Sequence, residues 1–94
     1  MLEKTIEHKL RMAVITRGGM CVKFVSPGLA GVPDRLVLLP GGRLCFVELK
    51  APGRKPRAIQ KVMLAKLSGL GFRAEVIDSE DQIDGLLDRM EADA

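Results

Sequence analysis

The chain has no tryptophan and no tyrosine, only three phenylalanines, two cysteines and one histidine. Each shortage removes a class of explanation. So few rings give little on which to stack unpaired bases, so a platform for single strands is poorly supplied. Cys21 and Cys45 lie in separate apolar runs and make no CxxC pair. They are expected to be buried free thiols in a reducing cytoplasm, and with one histidine the chain is short of ligands for zinc. That histidine, His8, is expected on a helix surface. No apolar stretch approaches the ~20 residues that cross a bilayer. The opening MLEKTIEHKLRM mixes acids and bases, unlike a signal peptide, so no membrane partner is expected.

What is present describes a globular protein: 94 residues, 47% hydrophobic and 29% charged, read as one domain over 1–94. The net charge of +3 is unevenly spread. From Asp78 onward seven acids face Arg89 alone, a balance of −6; the preceding residues carry fourteen Lys/Arg against five Asp/Glu, or +9. Such a basic body suits a polyanion, and the acidic end is expected to be a solvated helix face turned elsewhere.

Leu2, Ile6, Leu10, Ala13 and Val14 recur at helical spacing and predict a helix over about residues 2–16, stopped by Gly18-Gly19. MCVKFV (Met20 to Val25) predicts a first strand. SPGLAGVP is a loop. Leu36 to Leu39 and Leu44 to Val47, joined by Pro40-Gly41-Gly42, predict an antiparallel hairpin. Pro56 is placed near the start of a second helix whose apolar face is Ile59, Val62, Met63, Ala65, Leu67 and Leu70. Phe72 to Ile77 predicts a fourth strand, and Ser79 with Gln82 a capping box for a last helix. The order α-β-β-β-α-β-α predicts an α/β fold with a mixed sheet.

The hairpin carries charge where core is expected. Glu48 and Lys50, two apart on a strand, project together, while Asp34 opens the antiparallel neighbour. Two acids and a lysine thus meet at one end of the hairpin. Two carboxylates about 4 Å apart repel by ~4 kcal/mol at an effective dielectric near 20. A plain salt bridge to Lys50 would offset part of this, and a hard divalent cation, Mg2+ or Mn2+, more. Arg54, Lys55, Arg57 and Lys61 follow at once, at the start of the second helix, where phosphate is favoured. Arg35, Arg43 and Lys23 are expected to extend that patch.

Pro33-Asp34 followed by Glu48-Leu49-Lys50 resembles the PD-(D/E)xK nuclease signature. The wider pattern of Glu7, Gly31-Val32-Pro33-Asp34, a hairpin, Glu48-Leu49-Lys50 and Gln60 is similar to the VRR-NUC domain, from about Glu3 to Ile77. The resemblance implies a restriction-endonuclease-like core and a metal held by Asp34, Glu48 and the Leu49 carbonyl. It implies that Lys50 acts on the hydrolytic water and that Glu7 and Gln60 complete the site. By residue chemistry alone, Glu7 reads as a surface acid paired with Lys4 or Arg11 at helical spacing, and Gln60 as a solvated helix residue. The resemblance further implies a homodimeric, Mg/Mn-dependent DNA endonuclease in a bacterial or phage-infected cytoplasm, acting on duplex or branched DNA such as four-way junctions. The competing readings are a non-catalytic basic DNA-binding or assembly module of the same fold, and an unrelated α/β domain with a salt-bridged hairpin.

Overall fold

A computed structural model describes residues 3–93. Helix α1 spans Glu3–Thr16, followed by strands β1 (Met20–Lys23), β2 (Arg35–Leu39) and β3 (Arg43–Leu49). Helix α2 (Ala58–Gly69), β4 (Arg73–Ile77), a 3-10 turn at Glu80–Gln82 and α3 (Ile83–Ala92) complete the chain. This is the expected α/β order. Leu2, counted in the first helical repeat, lies outside the described residues.

Helix α1 ends as its glycines predict. Gly18 takes φ 83°, its N–H reaches the Ile15 carbonyl, and the Gly19 N–H reaches that of Val14. These two bonds make a Schellman motif. The turn then enters β1 so tightly that a Cβ on Gly19 would strike the Leu38 carbonyl oxygen and lie 2.8 Å from the Leu39 side chain.

The sheet has the order β1-β2-β3-β4. β1, β2 and β3 are antiparallel neighbours, and β4 joins β3 in parallel after the α2 crossover. Gly41 and Gly42, both at positive φ, turn the hairpin, which sets Arg35 opposite Val47 and Leu39 opposite Arg43. Alternation then divides the sheet. Val37, Leu39, Cys45, Val47, Leu49 and Ile77 lie in one core cluster with Ile6, Leu10 and Val14 of α1 and Ile83, Leu86, Leu87 and Met90 of α3. The opposite face carries Val22, Leu36, Leu38, Leu44 and Phe46, all half-buried. The strands packed against α1 are β1, β2 and β3, whereas α2 packs against β4.

Four details depart from the expectation. β1 stops at Lys23, and Val25 is 76% exposed where the chain turns into the Ser-Pro-Gly loop. Pro56 lies just outside α2, one residue ahead of its extended N-cap Arg57. The apolar face of α2 is largely uncovered: Met63 is buried, while Ile59, Val62 and Leu70 are exposed, since the helix packs mainly on the edge strand β4 and reaches β3 through Gln60. Ser79 caps the 3-10 turn through Asp81 N–H, and Gln82 bonds back to Asp78 instead of Ser79, so no reciprocal box forms.

Cys45 is buried and its thiol is pushed up to about 12 by burial. Cys21 is only half-buried, short of the expected burial. The acidic end is ion-paired, not merely solvated. Arg17 contacts Asp84, Asp88 and Glu91, with its shortest contacts at 2.8 Å to Asp88 and Glu91, and Arg73 pairs with Asp93 at 2.8 Å.

Gly19→Ala is expected to lower stability by about 2 kcal/mol, or roughly 10 °C in Tm, because the obstructing atom is sheet backbone that cannot move aside. A thermal melt by circular dichroism measures this.

Candidate active site

The site forms where three pieces of chain converge. The β2–β3 ladder ends at Arg35↔Val47, and Asp34, the next residue out, lies near enough to Glu48 for its charge to act on that carboxyl and bonds the Leu49 N–H. The third piece is α2. Gly31, at φ 83°, passes so close to the helix start that a Cβ there would lie 2.7 Å from the Ile59 carbonyl oxygen. A side chain at Gly31 would push the Asp34 loop off α2.

Glu48 is 4% exposed, and its donors come from its own strand and from α2. Its Oε2 accepts from Gln60 Nε2 at 3.1 Å and lies 3.1 Å from Lys50 Nζ. The Gln60 amide is oriented by the helix it belongs to: its Oε1 accepts the Arg57 backbone N–H at 2.8 Å, which leaves Nε2 for Glu48. One side chain therefore caps α2 and holds the buried acid. Glu48 Oε1 has no protein donor among the described residues.

Asp34 is held on both oxygens. Oδ1 accepts the Leu49 backbone N–H at 3.1 Å, and Oδ2 lies 3.3 Å from Arg35 Nη1.

Burial holds the Glu48 carboxyl above the usual carboxylate range, the Asp34 charge raises it further, and Lys50 draws it partway back. Glu3 also raises it. The α1 acid that bears on Glu48 is thus Glu3, one turn before Glu7. Glu7 is half-buried and its charge, like that of Arg35, acts on the Cys21 thiol. Glu3 was missed by sequence reasoning, although its four-residue spacing from Glu7 puts both on one helix face. Neither Lys4 nor Arg11 forms an ion pair with Glu7, the partners its bland reading required.

Among the described residues no cluster of three or more His, Cys, Asp or Glu occurs. The donors shown near one another are the Asp34 and Glu48 carboxylates, both hard oxygens. That set fits Mg2+ or Mn2+, which take one or two carboxylates and fill the rest with water and phosphate. It does not fit zinc.

Arg54, Lys55, Arg57 and Lys61 are exposed beside the site and make no ion pair among the described residues. Lys23 is exposed as well. Arg35 and Arg43 do not extend the patch. Arg35 is turned onto Asp34, and Arg43, at the far end of the hairpin, bonds the Pro40 and Asp93 carbonyls. His8 is exposed on α1.

The chain is 52% identical over 79 residues to a protein named "Putative nuclease p44" of Acyrthosiphon pisum secondary endosymbiont phage 1, covering 84% of this chain and 85% of that one. Its structure superposes on a solved "VRR_NUC domain" with a TM-score of 0.84 and 30% identity, covering 92% of this chain and 94% of the other. No protein-family model matches the chain.

A raised Glu48 means that the folded protein favours the protonated acid. Its contribution to stability is full below the ordinary carboxylate range and is lost as pH rises through the raised value. In EDTA, Glu48→Gln is therefore expected to gain Tm relative to the parent between about pH 4 and pH 7. Parallel calorimetric melts across that range measure the trend; a gain that shrinks with pH contradicts it.

Proposed function

Because the chain belongs to the VRR-NUC domain family, we propose that this nuclease is a metal-dependent DNA endonuclease, acting as one domain and structure-specific for branched substrates such as four-way junctions. The observation that carries the reading is that Asp34 lies close enough to act on the Glu48 carboxyl, with Lys50 and Gln60 held on that buried acid.

Asp34, Glu48 and the Leu49 carbonyl would hold Mg2+ or Mn2+, which when bound polarises a phosphoryl oxygen and eases deprotonation of water. The protein's own groups do the rest. Gln60 and Leu49 N–H fix the two carboxylates, so neither turns toward the other or into solvent. Lys50, anchored on Glu48, presents its ammonium to the attacking water and to charge growing on the phosphate. Arg54, Lys55, Arg57 and Lys61 grip the sugar-phosphate backbone, which positions a duplex without reading its sequence.

We also read the chain as a homodimer. The face formed by Val22, Leu36, Leu38, Leu44 and Phe46 bears no charge, which is unsuited to a polyanion. Phe24, Phe46 and Phe72 run across it edge to face, with centroids 5.9 and 5.8 Å apart. Exposed Ile59 and Val62 of α2 are also apolar. The molecule's 32 × 32 Å cross-section is wide enough for the roughly 800 Å² per partner that a standard dimer buries. A second copy matches such a face by symmetry alone, and two sites serve two strands. Among the described residues no helix is long and apolar enough to cross a membrane, which fits DNA as the partner.

The activity test is incubation with labelled duplex, flap, four-way-junction DNA and RNA, in Mn2+ or EDTA. Cleavage is expected in Mn2+ only, strongest on the junction, and reduced about a hundredfold or more by Asp34→Ala or Lys50→Ala. Cutting that persists in EDTA or in Asp34→Ala overturns the metal-dependent reading. For the dimer, light scattering after gel filtration is expected to give twice the chain mass for the parent and one chain mass for Phe46→Asp. A monomeric parent, or a Phe46→Asp that loses DNA affinity at unchanged mass, would assign the apolar face to another occupant.

A further inference from the structure

The four charges of the site form two self-contained pairs, Asp34 with Arg35 and Glu48 with Lys50. Without a bound cation the site is balanced, two acids against two bases. A divalent cation alone leaves it with two excess positive charges. A phosphodiester arriving with the cation removes one. Arg35 contributes a charge that persists through these changes, because a guanidinium stays protonated in proteins.

Arg35 is placed to make that charge felt. Its side chain is 14% exposed, and Nη1 is shared between the Asp34 backbone carbonyl at 2.9 Å and Asp34 Oδ2 at 3.3 Å. Its Nε is buried without a hydrogen-bond partner. The hold on the carboxylate is therefore one N–H on one oxygen, short of the two-bond fork of a strong Arg–carboxylate pair. Such a contact yields to a cation yet leaves the positive charge beside it.

We propose that Arg35 is a positioning residue that couples cation binding to phosphate binding: paired with Asp34, it weakens the site for a cation alone and relaxes that penalty when DNA phosphate is present. The proposal rests on the nuclease reading of the site. It assigns Arg35 a role that neither backbone contact with DNA nor the structural integrity of β2 would supply.

The test uses the full chain and reads binding, not turnover. Mn2+ affinity is measured by electron paramagnetic resonance for the parent, Arg35→Met and Arg35→Lys, alone and with a phosphorothioate-backbone duplex that resists hydrolysis. Arg35→Gln serves as the second neutral variant if Arg35→Met fails to fold. Without DNA the neutral variant is expected to bind Mn2+ about tenfold tighter than the parent, within the usual range of a coupling between two sites. The duplex should then add correspondingly less to its affinity, and Arg35→Lys, which keeps the charge, should stay near the parent. By reciprocity, the Mn2+-dependent gain in duplex affinity falls by the same factor in the neutral variant. Mn2+ held by the parent, lost in Asp34→Ala and bound equally by the neutral variant overturns this proposal alone. No Mn2+ bound by the parent or either variant overturns the nuclease reading with it.

Discussion

A carboxylate taken almost wholly out of water sets the terms for this end of the molecule. Glu48 sits at the close of the central β3 strand, and a buried charge of that kind is costly unless donors reach it. Gln60 brings α2 against the strand end, and Lys50 turns back along β3. Asp34, brought near by the hairpin, adds repulsion that favours a cation between them. The same bonds that make Glu48 tolerable also fix α2, the β2–β3 hairpin and the loop at Gly31 relative to one another. Stability and chemistry are thus joined at one residue, and the raised Glu48 carboxyl is the cost of that arrangement.

Charge elsewhere is sorted by what it touches. The acids of α3 and the C-terminal end are engaged by Arg17 and Arg73, and Glu75 bridges Arg73 and Arg89. That pairing neutralises one side of the molecule and leaves the cations of the 54–61 segment free in solvent. Surface pairs of this type add little stability each. Their consequence is a directional field, with unpaired positive charge concentrated beside the two carboxylates.

The sheet also sorts by face. The side toward α1 and α3 is a packed apolar core, and the other is covered only where α2 meets β4. Glu48 and the half-buried apolar residues of the strands share that second face, at opposite ends of its polarity. An antiparallel sheet tolerates one solvated face when that face is polar; here it is apolar across β1, β2 and β3, which is the pattern of a surface that acquires a partner.

Much of this was readable from residue order. Periodicities of two and 3.6 give the strands and helices, and Gly18-Gly19 and Gly41-Gly42 mark turns only glycine makes cheaply. The acid-acid-lysine set follows from alternation plus hairpin pairing, because both are local rules. Gln60 was legible only by family resemblance, since by residue chemistry alone it reads as a solvated helix residue, and its amide finds Glu48 only when α2 docks. Arg35 was read as an extension of the basic patch, and Glu3 was not singled out, because their effects depend on distances across elements. The apolar stripe of α2 failed as a guide to burial for the same reason: a stripe states which side prefers to leave water, and only the crossover to an edge strand decided how much of it does. Sequence by itself thus determined the elements, their order and the chemistry at the hairpin end, all carried by neighbours in the chain. Tertiary structure alone decided which charges meet, which apolar face stays open and which acid feels which cation, because these are set by packing between segments far apart in sequence.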